Sequence, residues 1–269
     1  MRRAAVAAIL SVALTTAAAA QEPVRLYAAG SLRAVLEEIG AQFTAETGTQ
    51  VAGTYGPSGL LRDRIDKGEK AEVFASANME HPATLAKSGK AGPVVLFARN
   101  QLCALTRPEV SVQTHSLLDR MLDPAVKLGT STPKADPSGD YAWAVFEKAE
   151  KQRPGSFTAL DRKALKLTGG PNAPQPPAGR SIYGILVEKG EADIFLTYCT
   201  NAVAAKREAD ALQIVALPSE LAVGADYGLT VLNGARPEAN RLAFYILSPA
   251  GQAIFARHGF TAVSLPAGS

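Results

Sequence analysis

Val24-Arg25-Leu26-Tyr27-Ala28-Ala29-Gly30-Ser31-Leu32 is the stretch on which the fold turns. Val24–Ala29 is short and mostly apolar and reads as a strand; Gly30-Ser31 then breaks it. Beyond Ser31 the apolar residues Leu32, Val35, Leu36, Ile39 and Phe43 recur at spacings of three and four, which makes one face of a helix. Gly48 ends that helix, and 50–55 reads as a second strand. The turn Gly56-Pro57-Ser58-Gly59 leads into a second helix through Leu60, Leu61 and Ile65, and 73–77 reads as a third strand. Strand, crossover helix and strand in succession predict a largely parallel sheet with helices on its faces.

The same alternation continues outward. Strands are expected near 101–106 and 127–130, and a helix after Pro137. The Gly/Pro-rich stretch 168–179 reads as an exposed loop. A helix over 183–189, the strand Ile194–Tyr198 and further strands at 212–216 and 228–232 follow. Helical patterns at Pro237–Leu247 and 250–258 close the chain. No internal repeat interrupts this order.

The N-terminus stands apart. Arg2 and Arg3 precede an apolar run to Thr16, and the small residues Ala17 to Ala20 precede Gln21. This is the layout of a secretory signal peptide, 1–20, with cleavage after Ala20 and a periplasmic destination. The run is short for a membrane span of roughly 20 residues. Ala4 and Ala5 follow the paired arginines without a further twin-arginine signal, so the ordinary secretory route is expected. Cleavage leaves roughly 250 residues, enough for one large domain or two lobes of about 100–150 each.

The whole chain has 28 basic and 25 acidic residues, a formal net charge of +3, and Arg2 and Arg3 contribute two of the positive charges. Charge this balanced is not the footprint of a nucleic-acid binder, and capture of an anion would have to come from local geometry. The two cysteines, Cys103 and Cys199, lie beside strand-like runs. In an oxidising compartment an even count favours one disulfide, with a pair of buried free thiols as the alternative.

Three segments place a serine among small residues where a helix begins: Ala28-Ala29-Gly30-Ser31-Leu32, Tyr55-Gly56-Pro57-Ser58-Gly59 and Ala135-Asp136-Pro137-Ser138-Gly139-Asp140. Helix N-termini present unpaired N–H groups and the positive end of the helix dipole, so they hold anions without a lysine. Each serine, taken singly, also fits an ordinary helix cap. Together, in an exported α/β chain, they favour a site. His81, His115 and His258 are isolated, so no metal site is expected. Gly56-Pro57-Ser58-Gly59-Leu60 lacks the second glycine of a nucleophile elbow, so no hydrolase is expected. Tyr27, Tyr55 and Trp143 read as packing residues. Tyr183 is a candidate cleft donor, because a tyrosine hydroxyl donates well when buried.

Several blocks together resemble the periplasmic molybdate-binding proteins, substrate-binding components of ABC transporters with the class II periplasmic binding protein fold. They are the opening Val24 to Leu32; Gly56-Pro57-Ser58-Gly59-Leu60-Leu61 with Gly68 and Ala71-Glu72-Val73-Phe74-Ala75-Ser76-Ala77; Tyr183-Gly184-Ile185-Leu186-Val187-Glu188-Lys189-Gly190 running into Ile194–Tyr198; and Leu247-Ser248-Pro249-Ala250-Gly251-Gln252 with Gly259-Phe260. The resemblance implies two α/β lobes, each a mostly parallel sheet flanked by helices, with lobe 1 over 24–99 plus 218–269 and lobe 2 over 100–217. It implies a binding protein, not an enzyme, that holds a molybdate- or tungstate-like oxyanion between the lobes and passes it to an ABC importer permease. No cofactor is implied, and a monomer is expected.

Carried over by position, Ser31 and Ser58 supply hydroxyl and backbone donors, Tyr198 a phenol, and Ser138 and Arg180 backbone amides. Arg180 departs from the family, where an apolar residue is usual. Its guanidinium either grips the ligand or faces solvent, and a grip would favour a small organic anion, a phosphonate or carboxylate, over molybdate.

Overall fold

The computed structural model describes residues 22–263 except 175 and 178, so the expected signal peptide 1–20 lies outside the described residues. The chain begins with β1 (Val24–Ala29), a 3-10 turn (Gly30–Leu32), α1 (Arg33–Thr47), β2 (Val51–Gly56), α2 (Ser58–Asp66), β3 (Val73–Ser76) and α3 (Glu80–Lys87). Then come β4 (Val95–Thr106), α4 (Leu117–Leu122), β5 (Leu128–Ser131), α5 (Pro137–Gln152), α6 (Ser156–Lys163), β6 (Leu165–Thr168), α7 (Ile182–Glu188) and β7 (Ile194–Tyr198). The last elements are α8 (Cys199–Glu208), β8 (Gln213–Ala216), β9 (Gly224–Val231), α9 (Pro237–Leu247), α10 (Pro249–Arg257) and β10 (Thr261–Ala262).

The strands run in the order β2-β1-β3-β9-β4-β7-β5-β6. At one end β1 lies parallel to both β2 and β3; at the other β5 lies parallel to both β6 and β7. Two long strands join these parallel halves. β9 is antiparallel to β3 and to the first part of β4, from Val95 to Gln101. The second part of β4, from Leu102 to Thr106, pairs with β7 on one side and β8 on the other. One strand therefore carries the chain from the first half of the sheet into the second.

The helical face expected after Ser31 is the one that packs. Val35, Leu36, Ile39 and Phe43 of α1 are buried, and burying a side chain such as Phe43 contributes about 1.5–3 kcal/mol. Gly48 ends the helix in the left-handed region, φ 73°, where a side chain would be strained. Cys103 and Cys199 are bonded, with Cα atoms 4.9 Å apart. The bridge ties the second part of β4 to the first residue of α8.

Several elements exceed the sequence reading. β4 starts at Val95 rather than near 101, because the polar pair Arg99-Asn100 breaks an otherwise apolar strand pattern. β9 starts at Gly224, and β6 precedes the Gly/Pro-rich loop as a short edge strand. The helices α3, α4, α6 and α8 have little or no long apolar stripe of their own, and their burial is set by neighbours. No helix among the described residues is long and apolar enough to cross a membrane.

Candidate functional site

Four of the singled-out residues stand where a strand gives way to a helix. Ser31 follows β1 in the 3-10 turn, and its Oγ lies 3.1 Å from the Tyr227 hydroxyl. Ser58 opens α2, is wholly buried, and accepts the Ala77 backbone N–H at 3.1 Å. Because that bond uses the oxygen, the hydroxyl hydrogen of Ser58 is free to donate. Ser138 is the second residue of α5, and its buried Oγ has no hydrogen-bond partner. Tyr198 ends β7, directly before α8, and its buried hydroxyl is likewise unpartnered.

None of the three serine side chains caps its helix. Asp136 caps α5, accepting the Ser138 backbone N–H on Oδ1 at 3.1 Å. The amide that the resemblance assigns at Ser138 is thus engaged by the cap, and the free donor there is the side-chain hydroxyl.

A set of contacts links Ser31, Tyr198 and Ser58 and reaches the turn before Ser138. The Tyr227 ring packs on the Tyr198 ring with centroids 5.6 Å apart, and Tyr198 packs on Tyr141 at 6.2 Å. The Tyr141 hydroxyl donates to the Ala77 carbonyl at 3.3 Å, beside the amide that holds Ser58. From the next residue, the Gly59 N–H donates to the Ala135 carbonyl at 2.9 Å, at the threshold of α5. Ser31, Tyr198 and Ser58, on β1, β7 and α2, are thus linked through these contacts, and the turn that leads to Ser138 on α5 adjoins them. Tyr227, Tyr141 and Asn100 belong to the same cluster. Nothing in the local pattern singles them out, since Tyr227 lies 196 residues from its partner Ser31.

The hydroxyl donors of this cluster are neutral and stay so. Burial pushes the Tyr198 and Tyr227 phenols well above their ordinary range, which keeps both protonated. Asp136 is pushed up to about 6, chiefly by burial, against the lowering effect of the Ser138 N–H. Two open depressions lie elsewhere. One, of about 420 Å³, is lined by residues such as Lys166, Asn172 and Glu191; the other, of about 440 Å³, by residues such as Val95, Leu229 and Phe244. Neither is lined by Ser31, Ser58, Ser138 or Tyr198; of these Ser31 is half-buried and the other three are buried.

Arg180 faces away from the cluster. Its Nε donates to Glu208 at 3.0 Å and its Nη2 to Glu188 at 3.1 Å, with the side chain 45% exposed. Glu208 also accepts the Ser181 N–H at 2.8 Å, which fixes the turn before α7. Tyr183 packs edge-on against Phe195 at 5.2 Å, and its hydroxyl is set among Ser131, Thr168 and Thr197 near Asp136. Tyr27, Tyr55 and Trp143 take local partners in Glu69, the Arg33 guanidinium and Asp161. Among the described residues no group of His, Cys, Asp or Glu could hold a metal ion. His81 is buried with its pKa lowered to about 4, mainly by desolvation, and His258 pairs with Glu38.

Two parallel half-sheets bridged by antiparallel strands give the two-lobed α/β fold of the periplasmic binding proteins. The chain belongs to the bacterial extracellular solute-binding protein family, whose profile matches residues 24–261. It is 38% identical over 226 residues to the uncharacterized protein PM1146 of Pasteurella multocida (strain Pm70), covering 83% of this chain and 91% of that one. To the molybdate-binding protein ModA of Escherichia coli (strain K12) it is 27% identical over 266 residues, 94% of this chain and 95% of that one. Its fold is similar to that of the sulfate-binding protein SubI from Mycobacterium tuberculosis H37Rv, with a TM-score of 0.75 at 18% identity over 91% of this chain and 88% of that one. The family is one of solute-binding proteins.

Proposed function

We propose that this protein binds a tetrahedral oxyanion, molybdate or tungstate in kind, in a cleft between two lobes and delivers it to an ABC importer permease. The lobes are 24–99 with 218–269, and 100–217, and the chain crosses between them through β4 and again ahead of β9. The observation that carries the reading is the pair of buried, unpartnered hydroxyls, Ser138 Oγ and Tyr198 OH, inside a cluster of neutral donors. A buried polar group left without a partner costs about 1–3 kcal/mol, so a ligand that accepts from both recovers that penalty. The Ser31 and Ser58 hydroxyls, each tied to the protein on one side, complete the set of donors.

Such a shell suits an ion rich in acceptor oxygens and needs no protein cation. The engagement of Arg180 by Glu208 and Glu188 supports this over a small organic anion held by a guanidinium. Binding without chemistry, export through the segment 1–20, a periplasmic working place and a monomeric state complete the proposal.

Isothermal titration of the mature protein with molybdate, tungstate, sulfate and phosphate tests it. Saturable heat is expected with molybdate and tungstate, unchanged within about twofold by Arg180→Ala, as befits a surface pair. Silence with all four ions overturns the oxyanion reading. Loss of binding in Arg180→Ala overturns the assignment of the donors.

A further inference from the structure

The hydroxyl of Ser31 does not stand alone. Its Oγ meets the Tyr227 hydroxyl at 3.1 Å, and the Asn100 side-chain nitrogen reaches the same phenol at 3.5 Å. Asn100 lies on β4 close to the point where that strand leaves β9 for β7. Its amide has a defined orientation. Oδ1 accepts the Gln101 backbone N–H at 2.9 Å, while Nδ2 donates to Thr200 Oγ1 at 2.8 Å, on the first turn of α8. Both nitrogen hydrogens are thereby directed, one at Thr200 and one at Tyr227.

That orientation propagates. An amide NH2 only donates, so the Tyr227 oxygen must accept from Asn100 and turn its own hydrogen elsewhere. Of the two hydroxyls beside it, Tyr198 and Ser31, it is Ser31 Oγ that stands in hydrogen-bond geometry, at 3.1 Å. A Ser31 oxygen that accepts from Tyr227 directs its own hydrogen outward. The phenol is wholly buried and caged by Phe97, Tyr198 and Phe260 at ring distances of 6.2, 5.6 and 5.6 Å, so it cannot swing away. Burial also raises its pKa, so the proton that the relay needs stays in place.

We propose that Asn100 and Tyr227 form a one-way hydrogen-bond relay that fixes Ser31 as a donor into the cleft and selects an oxyanion whose contacting oxygen carries no proton. The proposal rests on the oxyanion reading and adds a specificity device to it. Ser31, Tyr227 and Asn100 are positioning and donor groups in this scheme, and Tyr227 touches no ligand. A ligand oxygen bearing a proton would present hydrogen to hydrogen at Ser31. With the relay in place that mismatch is expected to weaken binding about 10- to 100-fold.

The test is the ratio of two dissociation constants: molybdate, fully deprotonated, against phosphate under conditions where it is the monoprotonated dianion. Equal formal charge removes simple electrostatics from the comparison. The unaltered protein should prefer molybdate strongly. Tyr227→Phe keeps the packed ring but frees the Ser31 hydroxyl to rotate, so the ratio should narrow by about tenfold. Asn100→Asp reverses the relay, because a carboxylate accepts from Tyr227; its added charge weakens both ions together, and the ratio should narrow further. Thermal melting identifies a variant that fails to fold, in which case the other variant decides. A ratio unchanged in the folded variants overturns the relay, even if both affinities fall. An unaltered protein that binds neither ion overturns the oxyanion reading itself, and the relay with it.

Discussion

The backbone N–H of Gly59 donates to the carbonyl of Ala135 at 2.9 Å, joining the first turn of α2 to the turn that precedes α5. This contact has no room for a side chain. A Cβ on Gly59 would stand 2.2 Å from the Lys134 carbonyl oxygen and 2.8 Å from that of Ala135. Both obstacles are backbone atoms, and Lys134 already holds an unusual positive φ of 67°.

Gly59→Ala is therefore expected to hold the two sides of the cluster apart. Alanine suits a helix better than glycine by up to about 1 kcal/mol, so α2 itself should not suffer. Overpacking of this kind costs about 1–3 kcal/mol, which falls on the contact between α2 and the turn before α5 and should weaken anion binding about 10- to 100-fold. Small-angle scattering with saturating ion should show a larger radius of gyration than the unaltered protein. An unchanged radius and affinity would show that this contact does not hold the two sides together.

Tyr198→Phe separates ligand binding from folding. The hydroxyl is buried without a partner, so its removal should leave the ligand-free melting temperature unchanged or slightly higher. A hydrogen bond to a charged ligand contributes about 1.5–3 kcal/mol, so affinity should fall about 10- to 100-fold. The rise in melting temperature produced by molybdate should shrink accordingly. A variant that melts lower without ligand and binds normally would place the hydroxyl in structure, not in recognition.

How much of this was legible follows from which interactions are local. The β1 strand, the Ser31 turn and the apolar face of α1 are written in consecutive residues, and so are the turn at Gly56 to Gly59 and the strand Ile194–Tyr198. Ser31, Ser58 and Ser138 stand out as serines among small residues where a helix begins, whereas Tyr198 enters only through the family resemblance. The direction of Arg180 could not, since it is set by Glu208, 28 residues away, and by Glu188. Tyr227 and Asn100 were invisible for the same reason: their partners are 196 and 100 residues distant. α8 was missed because Cys199, Thr200 and Asn201 at its start look like a turn, yet the bridge to Cys103 holds that end against β4.

The bridge between Cys103 and Cys199 closes a loop with a sequence separation of 96, containing most of the second half-sheet. Closing a loop of that size contributes up to about 4.7 kcal/mol through the unfolded chain, and bridges typically deliver about 2–4 kcal/mol. In a protein of this length that corresponds to a fall of about 5–15 °C in melting temperature for Cys103→Ser/Cys199→Ser. The unaltered protein melted with a thiol reductant should match the double variant. Equal melting temperatures with and without the bridge would show that the closed loop contributes nothing.

Glu72 gives the fold an acid limit. Its side chain is 4% exposed and takes Arg236 Nε and Nη2 at 2.7 Å each, together with the Arg25 backbone N–H at 2.9 Å. Arg236 in turn donates to the Glu22 and Pro23 carbonyls at 2.8 Å, so the pair fastens the start of β1 to the loop before α9. The guanidinium bonds hold the carboxylate down to about 2, against the opposing effect of burial. A carboxylate whose pKa is lower folded than unfolded stabilises the protein above its unfolded value, about 4.3, and loses that contribution as pH falls toward 2. Arg236→Ala leaves the enclosed carboxylate without its cation and should lower stability at neutral pH. Once Glu72 can protonate there is no charge left to strand, so the gap between variant and unaltered protein should close as pH drops from about 4.5 to 2. Urea denaturation at a series of pH values measures that gap directly. A gap that is constant down to the acid limit would mean that Arg236 acts through packing and its backbone bonds, and not through the charge on Glu72.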